Sequence, residues 1–316
     1  MLESATLNFP PPFKRLFFPA LVALFFTPPA YAQGESIPGE TYESGRFALY
    51  LPEQVTEARG ILLALGGPDT RAFLTGKSFG APFPELEAAL QELGRELRAL
   101  AAHHKLAFLG TSLQGIDALS NTEGSDSLIL EVIEELAAIS GHGELARAPI
   151  FIYGISGGTP EASGFAARNP GRVAALLLKV PGVPERLQNQ AAPDVPTFVI
   201  LADNDAYTDN EKVLEVFEYN RGSGGLWAVA VQPGVPHHSL TPDHRAITVN
   251  WLRAVVELRL GHSPDEDLQD IPESTGWLGQ PGSGVASWET YRGDRSAASW
   301  FPSRATAEEW WAFINP

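Results

Sequence analysis

The ten residues from Pro149 to Gly158 constrain this chain more than any other stretch. Ile150 to Tyr153 are apolar and β-prone without alternation, the pattern of a short strand buried on both faces. The run stops at Gly154-Ile155-Ser156-Gly157-Gly158, a G-x-S-x-G, and an Ala-rich, helix-compatible segment follows from Thr159 to Arg168. A strand, a sharp Gly-flanked turn centred on Ser, then a helix is the setting in which a serine is held as a nucleophile. The reason is steric. The Ser backbone is strained and neighbouring chain passes close by, so the residues two before and two after must be small. In return the hydroxyl stands clear of the sheet edge, beside a helix N-terminus that favours negative charge. Ser156 is therefore a candidate nucleophile, and it requires a base, an acid to orient that base, and an oxyanion hole.

The rest of the chain alternates between two patterns. Arg46 to Leu51 and Gly60 to Leu65 read as two strands joined by a charged turn. Leu106 to Leu109, Val173 to Val180, Thr197 to Leu201 and Trp227 to Val231 read as further apolar strands. Between them, Leu86, Leu90, Leu93, Leu97 and Leu100 form one stripe of an amphipathic helix. Its last turn carries His103, His104 and Lys105, where positive charge suits the helix dipole and where the histidines are expected at the surface. Leu128 to Ile139 reads as a helix with Asp126 and Ser127 as caps. Asp209 to Tyr219 reads as another, and Thr241-Pro242 opens a long one to Leu260 with Pro at its first position. Gly110 to Ser127 is a long polar loop, a candidate cleft wall. Apolar strands alternating with helices predict the α/β class, with helices on both faces of a mostly parallel sheet. Ligands of such sheets bind beyond the carboxyl ends of the strands.

Two more strand ends carry reactive side chains. Phe198 to Leu201 runs into Ala202-Asp203-Asn204-Asp205, and Trp227 to Val231 runs into Pro233-Gly234-Val235-Pro236-His237-His238. Ser, Asp and His thus follow three separate strands in that order, and would face one cleft. With the G-x-S-x-G, the Asp after the penultimate strand and the His after the last, the chain from about Arg46 to Leu260 resembles the α/β-hydrolase fold family, in which that chain order is a distinguishing mark. The resemblance is to its secreted, esterase- and lipase-like serine hydrolases. It implies Ser156 as nucleophile, Asp205 as orienting acid and His237 as base. Asp203, as a turn cap, and His238, as a cleft or helix-cap residue, are the alternates. It also implies an oxyanion hole of backbone N–H groups, one from Gly157 and one from the loop after Gly60 to Leu65. Pro68 has no N–H, which leaves Gly67, with Asp69 as alternate. Many members carry a His before the Gly of that loop, whereas this chain has Leu65-Gly66-Gly67-Pro68.

The 316 residues begin with a leader-like stretch. Lys14 and Arg15 precede an apolar run from Leu16 to Phe26, and Ala30-Tyr31-Ala32 forms an A-x-A site, so residues 1–32 read as a signal peptide and the product as secreted or periplasmic. The run is too short to span a bilayer, which takes ~20 residues. With no cysteine, stability cannot come from disulfides. A formal charge of −16 repels nucleic acid and anionic membranes. Asp203, Asp205, Asp209 and Glu211 lack the glycine and terminal Glu of a calcium loop, so no metal is expected, and the chemistry calls for no cofactor.

Only a short Pro-rich segment separates Val180 from Thr197, where many α/β-hydrolases insert a helical cap. No large cap is therefore expected, and an open cleft would admit a small or polymeric ester. Residues 33–262 read as the catalytic domain, and 263–316 as a Trp-rich C-terminal extension packed on it. That extension holds Trp277, Trp288, Trp300, Trp310 and Trp311, with Thr306-x-x-Glu309 as a capping box for a final helix. The leading expectation is an exported serine hydrolase of carboxylic esters. Its rivals are a serine peptidase or acyltransferase on the same fold, and a non-catalytic binding protein using the aromatic segment.

Overall fold

A computed structural model of the protein describes residues 37–66, 69–81, 83–112, 125–182, 187, 195–261 and 266–316. Residues 1–36, which include the expected signal peptide, lie outside these residues, as do Gly67 and Pro68, most of the polar loop after Gly110 and most of the Pro-rich segment before Thr197.

An eight-stranded sheet runs from β1 (Gly39–Ser44), β2 (Phe47–Pro52), β3 (Gly60–Gly66), β4 (Leu106–Thr111) and β5 (Ile150–Ile155) to β6 (Val173–Lys179), β7 (Thr197–Ala202) and β8 (Trp227–Gln232). Its order is β1-β2-β4-β3-β5-β6-β7-β8. β3 to β8 are parallel, and β1 and β2 add antiparallel at one edge. Every residue of β3, β5, β6 and β7 is buried, as continuous apolar runs require.

This edge holds two features that the sequence pattern does not show. β2 and β3, though joined by a short turn, are not neighbours, because β4 lies between them. A strand–helix–strand crossover lays its second strand beside its first, so β4 takes the place next to β3 and β2 joins outside. β1 (Gly-Glu-Thr-Tyr-Glu-Ser) is an additional strand. As the sheet edge it is largely exposed and carries no apolar pattern.

The helices are α1 (Arg71–Thr75), α2 (Pro84–His104), α3 (Ser125–Ser140), α4 (Thr159–Arg168), α5 (Asn210–Gly222) and α6 (Pro242–Arg259). Side chains alternate between the two sheet faces. On one face Tyr153, Leu177 and Phe198 pack with Leu93 and Leu97 of α2 and Trp251 and Leu252 of α6. On the other, Ile152, Leu178 and Val199 pack with Ile133 of α3, Phe165 of α4 and Phe217 of α5. Asp209 caps α5 by accepting from the Lys212 amide, and Thr241 caps α6 by accepting from the His244 amide ahead of Pro242. Asp126 and Ser127, expected as caps, instead lie within α3, which already begins at Ser125. His104 departs from expectation. The left-handed Lys105 (φ 57°) turns α2 straight into β4 and leaves His104 only 6% exposed. Burial, with His103, Arg253 and Arg59 nearby, lowers its pKa to about 4.

Beyond residue 266 a small antiparallel sheet, order β10-β9-β11, is built from β9 (Trp277–Gln280), β10 (Gly284–Ser287) and β11 (Ser299–Phe301). Helix α7 (Arg304–Ile314) follows. This segment lies against β8, the far edge of the main sheet. Ser299 Oγ accepts from the Val229 amide at 3.0 Å, and Trp310 Nε1 donates to the Val229 carbonyl at 2.7 Å. Both backbone groups of an edge residue are thereby occupied by side chains. Trp300 and Trp310 are buried. The half-buried Trp288 and Trp277 have Arg295 and Arg304 over their rings. The capping box of α7 is formed by Ser303 and Thr306, three residues before the expected pair. Ser303 is the residue whose extended backbone lets its hydroxyl meet the Thr306 amide.

Candidate active site

β5 delivers Ser156 at the carboxyl edge of the sheet, and α4 begins three residues later. Ser156 has φ 48°, a left-handed conformation that L-residues avoid. The flanking glycines show how the chain holds it here. A β-carbon on Gly154 would lie 2.9 Å from that of Ala162 in α4. One on Gly158 would lie 2.5 Å from both Cα and N of Gly66, at the end of β3. Gly66 itself has φ 78° and faces Gly158 backbone to backbone. The turn is therefore gripped between α4 and β3 through contacts that admit no side chain.

The loops after β7 and β8 meet at this turn. Ser156 Oγ lies 2.9 Å from His237 Nε2, and His237 Nδ1 lies 2.7 Å from Asp205 Oδ2. Asp205 is three residues past β7, and its Oδ1 accepts from the backbone amides of Tyr207 (2.8 Å) and Thr208 (3.0 Å). Both oxygens are thus anchored, and the imidazole is oriented by a fixed carboxylate. Burial raises the Asp205 pKa, but the Tyr207 amide, His237 and the Thr208 amide outweigh it and hold the carboxyl below its ordinary value. His237 is 5% exposed. Its desolvation outweighs the pull of Asp205 and lowers its pKa, so the ring is neutral and can take a proton from Ser156.

Nucleophile after β5, carboxylate after β7 and imidazole after β8, on a sheet ordered 1-2-4-3-5-6-7-8, decide the architecture. The chain has the α/β-hydrolase fold.

No protein-family model matches the chain, and no curated protein matches it in sequence. Solved structures that it resembles include a cold-adapted esterase from an Arctic intertidal metagenomic library (18% identity, 69% of this chain and 92% of that one, TM-score 0.45). An S-formylglutathione hydrolase from Agrobacterium tumefaciens shares 16% identity over 72% of this chain and 98% of its own (TM-score 0.48). The fluorophosphonate-binding serine hydrolase F of Staphylococcus aureus shares 15% over 68% and 99% (TM-score 0.47). These likenesses are too distant to bear on chemistry.

Within the α/β-hydrolase fold the remaining candidates separate cleanly. Asp203 is exposed and accepts from the Gly234 amide at 3.4 Å, which ties the two loops together without reaching the imidazole. His238 is exposed, with its ring edge-on to His237 at 4.9 Å, and lines the cleft. Gly157 is exposed at the turn, and its amide lies beside Gly182. Gly67 lies outside the described residues. Asp69 is engaged by the Arg71 guanidinium.

A cavity of about 380 Å³ opens beside Ser156. Phe79, Leu86, Leu90, Ile155, Val180 and Leu240 give it apolar walls. Tyr153 and Lys179 also line it. Neither stands out by motif. The one signal for Lys179 is a charge closing an otherwise apolar strand. Among the described residues no group of His, Cys, Asp and Glu is placed to hold a metal ion, and no helix is long and apolar enough to cross a membrane.

Proposed function

We propose that the protein is an exported serine hydrolase that cleaves carboxylic esters through an acyl-enzyme. The observation that carries this reading is the continuous hydrogen-bonded line from Ser156 through His237 to Asp205, beginning at a strained serine. In it, Ser156 Oγ attacks the ester carbonyl carbon while its proton passes to His237 Nε2. Negative charge collects on the former carbonyl oxygen, which the Gly157 N–H stabilises, with Gly67 as the proposed second donor. His237 then gives its proton to the departing alkoxide, and the alcohol leaves. Water repeats the cycle on the acyl-enzyme: His237 takes its proton as the hydroxide adds to the acyl carbon, then returns that proton to Ser156 Oγ as the acyl–oxygen bond breaks and the acid leaves. Asp205 keeps Nδ1 protonated throughout and stabilises the transient imidazolium.

The apolar walls beside Ser156 suit an acyl chain. Export rests on the leader read from residues 1–32. The test is Ser156→Ala measured on ethyl esters together with fluorophosphonate labelling. Turnover and labelling should both vanish. Unchanged turnover would refute the reading, and an unlabelled wild-type protein would favour a non-catalytic binding role.

A further inference from the structure

The cavity beside Ser156 has apolar walls interrupted by Asp69, Tyr153, Lys179 and the two histidines. β5 and β6 pair in register with Tyr153 opposite Leu177 and Ile155 opposite Lys179. Two-residue periodicity then puts Tyr153, Ile155 and Lys179 on one face of the sheet, and all three line the cavity. Lys179 is 6% exposed, and its ammonium donates to the His237 carbonyl at 3.2 Å. No carboxylate of the described residues forms an ion pair with it. Asp205 acts on it electrostatically but is itself taken up by two amides and the imidazole. Tyr153 is fully buried, and its hydroxyl has no hydrogen-bond partner among the described residues.

A buried cation without a counter-ion and a buried hydroxyl without an acceptor are both costly. Leu or Met would fill the same space without that penalty. An ammonium has three donors and one is used here. A hydroxyl and an ammonium together suit an anionic oxygen pair. Asp69, the one carboxylate among the cavity's described lining residues, does not fill the role, because Arg71 holds it.

A second groove of about 570 Å³ runs past the His237 ring between Phe83, Tyr207 and Pro236, and Ser156 is not part of it. His237 lines both spaces, so a substrate held at Ser156 has room on either side of the imidazole. The acyl group is assigned to the cavity that Ser156 and Lys179 share, and the leaving alcohol to the groove.

We propose that Lys179 and Tyr153 receive a carboxylate at the far end of the acyl group, so that the preferred substrates are monoesters of short dicarboxylic acids. This rests on the ester-hydrolase reading of Ser156. The methylenes between ester and carboxylate lie along Leu86, Leu90 and Leu240. The formal charge of −16 opposes the approach of an anion, but that field is screened within ~10 Å at 0.1 M salt, whereas a buried contact is screened far less.

The test follows acid release from ethyl monoesters of glutaric and adipic acid against the near-isosteric ethyl hexanoate and heptanoate. Wild-type protein should favour the carboxylated ester of matching length by roughly 10- to 100-fold in kcat/KM, the range that charge-assisted hydrogen bonds span. Lys179→Met should erase that ratio by raising KM for the carboxylated ester while ethyl hexanoate is still cleaved. Tyr153→Phe should reduce the ratio several-fold and keeps the inference testable if the lysine variant does not fold. A wild-type preference for ethyl hexanoate would overturn the proposal. So would an equal loss on both esters in Lys179→Met, which would leave the lysine only holding the His237 carbonyl. Absence of all ester turnover and of fluorophosphonate labelling in the wild type would overturn the hydrolase reading with it.

Discussion

Gly158→Ala isolates the mechanical part of the site, because it adds one methyl group and touches no reacting atom. That methyl would press on the Leu65 carbonyl oxygen and sit 2.5 Å from Gly66 Cα and N, against an ordinary contact of at least 3.4 Å, so about 1 Å of separation must be found. Neither side yields easily. Gly66 ends β3, whose residues are all buried and which pairs with both β4 and β5. Gly158 leads directly into α4, which packs on β5 and β6. Overpacking of this kind costs about 1–3 kcal/mol. For a chain of this size that is a fall of several degrees in Tm. The rate should suffer more. The displaced turn carries Ser156 and the Gly157 amide, and a shift near 1 Å costs on the order of 10²-fold. The assay is kcat/KM on ethyl hexanoate beside a thermal melt. Gly171→Ala serves as control: it is exposed, meets nothing within 4 Å, and has no left-handed φ. The control should be neutral or slightly stabilising. A Gly158→Ala protein with wild-type rate and Tm would show that β3 does not grip the turn, and the steric account would fail.

Asp205→Asn should lower kcat by about 10³- to 10⁴-fold with little effect on KM, since the amide can favour the wrong imidazole tautomer. Stopped-flow ester turnover would show it, and a loss under tenfold would refute the orienting role. Activity needs His237 neutral, so it is kept above the folded-state pKa and lost below it. Burial lowers that pKa, so the acid limb of kcat/KM should have its midpoint below the ordinary 6.5, and a midpoint above 6.5 would contradict the desolvated ring. His104 is held neutral by burial, with a folded pKa of about 4 against 6.5 when unfolded. The unfolded chain therefore binds the extra proton first, and stability falls as pH drops from 6.5 towards 4, by about 1–3 kcal/mol. Replacing His104 by Gln should flatten that part of a Tm-against-pH curve, and an unchanged slope would place the acid sensitivity elsewhere.

What could be read from the sequence depended on whether the signal was local. β3, β5, β6 and β7 are buried on both faces, so each announces itself as an unbroken apolar run. The Ser156 turn announces itself because its strain excludes side chains at neighbouring positions. β1 is an edge strand with one covered side and gives no such signal, and the short β9 to β11 are too brief for periodicity to register. The place of β4 between β2 and β3 is a property of the crossover, which no residue of either neighbour encodes alone. The choice of Asp205 over Asp203 is of the same kind. Two residues apart on one loop, they differ in that the Tyr207 and Thr208 amides hold Asp205 against the imidazole, while Asp203 turns to Gly234. Lys179 shows how the two levels combine. In the sequence it is one charge at the end of a strand, and a strand end is where charge ordinarily escapes to water. In the fold, β6 is flanked by β5 and β7, and that end is roofed by the loop carrying His237, so the same charge is sealed beside Ser156. A lysine that the chain could have left in solvent is instead kept beside Ser156, with the His237 carbonyl as its hydrogen-bond partner among the described residues.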